Sequence, residues 1–163
     1  SGPDAVWPGS PDVDVVQPPG PATDGGWAVE PGGLHEVLVR LHTEYGGPAL
    51  YVHEAGAAYH DTVGADGEVH DARRVAWLDA HLRAAQRAVR DGVDLRGFFA
   101  WSLLDNFEWA EGYAHRFGIV HVDFDTQVRT PKDSARWYAE VVRTGSLPDP
   151  AAEGAPGGAG LPA

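Results

Sequence analysis

The chain has no cysteine and no methionine among its 163 residues. Without cysteine there are no disulfides and no thiolate metal sites. A chain that opens Ser1-Gly2-Pro3 with no initiator methionine raises the expectation that this N-terminus is not the natural one and leaves a signal peptide open. Positive charge is scarce: 12 Lys+Arg stand against 24 Asp+Glu, a net charge of −12. A nucleic-acid partner, which needs a basic footprint, is therefore not expected. No apolar run reaches the roughly 18 residues of a membrane span, so no membrane partner is expected either. The reading places the protein in the cytoplasm. What is present is apolar enough to fold, with 43% hydrophobic residues and six tryptophans.

Glycine and proline divide the chain. Residues 1–33 hold 7 Gly and 7 Pro, residues 145–163 hold 5 Gly and 4 Pro, and the middle holds the rest together with every basic residue. This composition predicts an irregular leader over 1–26, an ordered part over 27–144 and a disordered tail over 145–163. Within the ordered part, Leu34, Leu38, Leu41 and Tyr45 predict one helical face over 33–45, ended by Gly46-Gly47. Ala49 to Val52 reads as a short buried strand, and 60–70 as a loop. Asp71 caps a predicted helix running to Arg90, with a stripe of Val75, Leu78, Leu82, Ala85 and Val89 and an outward face that carries its arginines. Leu95 to Leu104 reads as a second interior strand, and Ile119 to Phe124 as an edge strand or half of a hairpin. Thr130-Pro131-Lys132-Asp133 reads as a helix start, with Thr130 as cap and Pro131 in the first turn. The helix that follows carries Trp137, Tyr138, Val141 and Val142. The class is α/β, with two strands placed to lie parallel across a helical crossover. Two such strands make no core of their own, so something is missing or a partner supplies it.

In α/β folds chemistry gathers beyond the carboxyl ends of strands. There the sequence places His53-Glu54-Ala55-Gly56 after the first strand and a Trp101-to-Trp109 block containing Asp105 and Glu108 after the second. Carboxylates beside indole faces suit carbohydrate chemistry, where the apolar face of a sugar stacks on tryptophan and carboxylates accept its hydroxyls. On spacing alone Glu54 reads first as a loop acid, Trp101 and Trp109 as core aromatics, and Asp105 as a turn residue binding backbone amides. The eight histidines lack metal-ligand spacing; His53, His60 and His70 read as solvated loop residues, and no metal or cofactor is expected.

The run Gly97-Phe98-Phe99-Ala100-Trp101-Ser102-Leu103-Leu104-Asp105-Asn106-Phe107-Glu108-Trp109-Ala110-Glu111-Gly112-Tyr113 resembles the C-terminal signature of family 1 glycoside hydrolases, the β-glucosidases. Arg116-Phe117-Gly118-Ile119-Val120, Thr130-Pro131-Lys132, the segment from Leu50 to Tyr59, and Gly26-Trp27 with Pro31-Gly32-Gly33-Leu34 are similar to the same family. The resemblance implies a retaining hydrolase of β-glucosides on a (β/α)8 TIM barrel, of which this chain is a C-terminal portion of about two βα units. It implies Glu54 as the nucleophile and Trp101 stacked under the sugar. It also implies Glu108 and Trp109 on the sugar hydroxyls and Phe117 lining the pocket, so that Glu54 and Glu108 are not the catalytic pair. The chain departs from the family pattern by reading His53-Glu54-Ala55-Gly56 where Thr-Glu-Asn-Gly is usual. It also has no Asn-Glu-Pro acid motif, its single Asn being Asn106. The expected partner is therefore a β-glucoside or related oligosaccharide, with the isolated chain inactive for want of a proton donor. The alternative is a non-catalytic remnant that binds sugar weakly or assembles with a separately encoded N-terminal barrel portion.

Overall fold

The computed structural model describes residues 19–149. Helix α1 (Pro31–Glu44) leads to strand β1 (Leu50–Ala55), helix α2 (Ala72–Arg90) and strand β2 (Leu95–Ala100). A hairpin of β3 (Val120–Val122) and β4 (Arg129–Pro131) then feeds helix α3 (Asp133–Thr144). β1 and β2 pair in parallel across the α2 crossover, the α/β arrangement expected, and among the described residues there is no closed barrel. No described helix is long and apolar enough to cross a membrane.

Local chemistry accounts for the helices. α1 opens with Pro31, whose missing N–H falls where a helix has no partner for it. It ends before Gly46 and Gly47, both with positive φ. Leu38 is its buried residue, and Tyr45, expected on the same face, is mostly exposed. α2 buries Arg74, Trp77, Leu78, His81, Ala84, Ala85 and Ala88, a stripe turned by about one position from the one expected. Val89 is left half-exposed as a result. Arg74 corrects the reading of an outward basic face: it is 2% exposed, and Asp71 and Asp61 hold its guanidinium. His81 stacks on Trp77 with ring centroids 3.6 Å apart, and burial pushes its pKa down.

Two other expectations are corrected. β2 stops at Ala100 and not Leu104, because Ala55, the partner of Ala100, is the last residue of β1. Beyond it the backbone pairs elsewhere: Ser102 N–H donates to Phe117 O, Ile119 N–H to Ser102 O, and Val120 N–H to Leu103 O. Thr130 and Pro131 belong to β4, where Thr130 faces His121; α3 begins at Asp133 with Lys132 at its cap position. The hairpin's demand for a second strand outweighs the local cap signal.

At the two ends, residues 1–18 and 150–163 of the expected leader and tail lie outside the described residues. The described part of the leader forms a tight turn with Trp27, since Thr23 N–H donates to Trp27 O and Ala22 pairs with Ala28. Gly145 ends α3 at φ +65°, and Pro148 O accepts from Arg83.

The sheet is covered on one side only. Leu50, Val52 and Leu95 pack against Leu38, Ala88 and Val93, while Ala55 and Ala100 pack against Trp77 and Leu78. Tyr51 and Phe99 are 51% and 55% exposed, with the His53 ring edge-on to both at 6.1 Å. Parallel sheets ordinarily have both faces covered.

The polar loop after β1 is tied to α3 at its rim. His70 bridges Asp66 (2.9 Å) and Asp133 (2.7 Å), and these two carboxylates raise its pKa to about 9. A histidine whose pKa is raised on folding stabilises fully below its ordinary value of about 6.5 and loses that stabilisation as pH climbs through the folded value. All three side chains are solvent-exposed, so the effect is small and screened by salt. The thermal midpoint of the wild type should therefore exceed that of His70→Gln at neutral pH and low salt. The gap should close above pH 9; a gap that widens there would contradict the bridge.

Candidate functional site

Glu54 sits in a bulge. Val52 pairs with Phe98 and Ala55 with Ala100, so His53 and Glu54 together oppose Phe99 alone. In an unbroken strand Glu54 would alternate onto the helix-covered side with Val52. The extra residue returns that place to Ala55, which joins the core, and leaves both His53 and Glu54 exposed.

The chain leaving β1 passes directly under the end of β2. A Cβ built on Gly56 would lie 1.7 Å from the Trp101 carbonyl oxygen, so only glycine fits. Trp101 N–H donates to Ala55 O at 2.9 Å, and the Trp101–Ser102 peptide is cis. Gly56→Ala is expected to destabilise the fold by about 1–3 kcal/mol through overpacking, with a changed near-ultraviolet dichroism as Trp101 moves. An unchanged spectrum and urea midpoint would refute the close approach.

Trp101, Glu108, Trp109 and Phe117 converge on Glu54. With Trp27 and Gly56 they line a cavity of about 410 Å3. A neighbouring cavity of about 240 Å3 shares Trp27, Glu108, Trp109 and Phe117 and adds Glu111 and His115 among others. Phe117 is buried, and its ring lies 5.8 Å from that of Trp27. Trp109 is 84% exposed and held at φ +46°, in a 3-10 turn over Trp109–Glu111. A left-handed backbone costs a non-glycine residue roughly 1–2 kcal/mol, and such strain clusters at functional sites. All five residues singled out from the sequence thus share one cavity. Trp27 was noted in the sequence only as part of an approach segment; its place in the wall depends on the turn at 21–28.

A buried chain of charges anchors these walls. Asp71, Arg74, Asp61, Lys132, Asp105 and Arg116 alternate in sign, three acids and three bases. Lys132 is fully buried, 2.6 Å from Asp61 and 2.9 Å from Asp105. Burial opposes the charge on Arg74, but the hydrogen bonds and charges of Asp61 and then Asp71 outweigh it and raise its pKa. Asp71 also accepts from the N–H and the hydroxyl of Ser134 at the start of α3. Asp105 does bind backbone amides, at Gly118 (3.0 Å) and Val122 (3.3 Å). It therefore grips both sides of Phe117: Arg116 by its side chain and Gly118 by its N–H. Of these six, Asp105, Arg116 and Lys132 stand within the resembling motifs; nothing in the sequence indicates that they meet.

The arrangement offers one accessible carboxylate in a bulge, a second carboxylate nearby, and three indoles. Such a surface accepts hydroxyl donors and covers an apolar ring face. Comparisons with known proteins agree. The family model for "Glycosyl hydrolase family 1" matches residues 8–146. The chain is 49% identical over 137 residues to beta-glucosidase A of Thermotoga maritima, covering 84% of this chain and 31% of that protein. It is 49% identical over 139 residues to a bifunctional beta-D-glucosidase/beta-D-fucosidase of Bifidobacterium breve, covering 83% and 30%. A solved structure of the Thermotoga maritima beta-glucosidase in complex with deoxynojirimycin superposes with a TM-score of 0.80 at 49% identity, over 82% of this chain and 30% of that one. This chain therefore spans under a third of the length of these relatives. With the match running across most of its own residues, and the backbone agreeing as well as the sequence, the chain belongs to glycosyl hydrolase family 1.

Proposed function

We propose that this chain supplies the nucleophile and half of the glycosyl-binding wall of a retaining β-glucosidase, and that turnover needs a second polypeptide segment carrying the proton donor. The observation that carries the reading is the single cavity lined by Glu54, Trp101, Glu108, Trp109 and Phe117. Glu54 attacks the anomeric carbon, and the glycosidic oxygen leaves as it is protonated; water then releases the sugar from the glycosyl-enzyme. Trp101 presents its indole face to the ring, Glu108 accepts hydroxyl hydrogens, Trp109 donates its indole N–H, and Phe117 closes the wall. Retention requires a second carboxyl group about 5 Å from the nucleophile. On the family resemblance that group is not Glu108.

The bare face of the β1–β2 sheet supports the need for a second segment. Tyr51, His53 and Phe99 lie uncovered where a parallel sheet is ordinarily packed. In this reading that face and both strand edges continue into the rest of a (β/α)8 barrel. The experiment mixes the chain with the part of Thermotoga maritima beta-glucosidase A that it does not match, and follows p-nitrophenyl β-D-glucoside. Turnover is expected from the mixture and from neither piece alone. Turnover by the chain alone would remove the need for a second segment. A mixture that associates but does not turn over would refute the nucleophile's role.

A further inference from the structure

We infer that Asn106 is a positioning residue for the sugar site: its side-chain amide holds one carboxylate oxygen of Glu108 and leaves the other as that residue's free acceptor. The inference rests on the reading of the cavity as a glycosyl site. Asn106 Nδ2 donates to Glu108 Oε2 at 2.9 Å and to Phe107 O at 3.2 Å, while Asn106 Oδ1 accepts from Ser102 Oγ at 3.0 Å. The amide's orientation is determined by these partners. Turned over, its oxygen would face a carboxylate oxygen and a carbonyl, neither of which can donate. Ser102, at the far end of the relay, is itself fixed. It is buried, its single hydroxyl proton is shared between Leu104 O at 2.7 Å and Asn106 Oδ1, and its backbone pairs with Phe117 and Ile119.

The relay thus runs from the end of β2 to a carboxylate that lines both cavities. Glutamate is long, and ordering it on binding consumes rotamer entropy. A carboxylate already held at Oε2 has lost that freedom before the ligand arrives. Among the described residues Oε1 has no hydrogen-bond donor, so it is the oxygen left for a hydroxyl.

A plain turn-forming role for Asn106 would make a different prediction, and two measurements separate them, the first on the full chain. Asn106 is the only asparagine, so its side-chain amide pair in a 15N spectrum is identified by its loss in Asn106→Asp. Glu108→Ala should shift that pair, because one of its protons loses a charged acceptor; an unmoved pair overturns the inference. The second measurement titrates methyl β-D-glucoside into the chain assembled with the unmatched part of Thermotoga maritima beta-glucosidase A and follows tryptophan fluorescence. Asn106→Asp keeps the turn chemistry and the acceptor for Ser102, but removes the donor to Glu108 and sets a like charge beside it. Affinity should fall about ten-fold with the thermal midpoint unchanged. A lowered midpoint with affinity intact would show a structural role and overturn the inference. Failure of the wild-type assembly to take up the glucoside would refute the glycosyl-site reading, while the amide signal of the chain would still report whether Asn106 holds Glu108.

Discussion

Glu54→Gln is expected to abolish turnover in the assembled enzyme, lowering kcat by at least ~10³-fold, as removal of a covalent catalyst does elsewhere. The substitution keeps the size of the side chain and removes only its charge and nucleophilicity. The bulge is set by backbone pairing, so the amide should occupy the same place. The loss should then lie almost wholly in the chemical step. Substrate affinity, measured directly under single-turnover conditions, should change by no more than about two-fold, well within one hydrogen bond. A variant that keeps activity within about ten-fold of the wild type would show that another group attacks the sugar. A variant that loses affinity and rate together would show Glu54 to be a binding residue.

Lys132→Met is expected to have the largest effect on stability, about 3–5 kcal/mol, the range seen when one partner of a buried ion pair is removed. The Lys132 ammonium lies between Asp61 and Asp105 with no access to water. Methionine fills much the same volume, so cavity formation contributes little. What remains is two desolvated carboxylates that share their other cations, Arg74 and Arg116, with further partners. The urea midpoint should fall by about 2 M for a typical slope. Total stabilities are commonly 5–15 kcal/mol, so partial unfolding at room temperature is within range. Coupling is the sharper test: Asp61→Asn should be milder in the Lys132→Met background than in the wild type, since it then removes a stranded charge. Strictly additive effects would mean that the two groups do not interact.

How much of this was legible in the sequence depended on whether the signal was local. α1 and α2 follow from spaced apolar residues and, for α1, from Gly46-Gly47 at its end. β1 and the start of β2 follow from short apolar runs between glycine and proline. Thr130-Pro131 misled because a cap and a strand end can share one chemistry, and the choice between them was made by pairing with His121. Arg74 misled for a related reason. Its helical position is ordinary, and it lies inside because Asp61 and the Arg116 carbonyl, both outside the helix, join Asp71 around its guanidinium. The five residues singled out share one cavity, and the sequence groups them because four of them, Trp101 to Phe117, lie within seventeen positions across two adjoining motifs. The relay through Asn106 and the bulge at Glu54 depend on side-chain orientation and register, which composition and periodicity do not encode.

The bulge makes parity as important as identity. The direction of the Glu54 carboxylate is fixed by how many residues separate it from Leu50, counted against β2. Gaining one residue in that interval would preserve every functional group and still swing the glutamate into the place that Ala55 now holds in the helical layer. A catalogue of the cavity's residues would then read the same, yet the Glu54 carboxylate would point at the core.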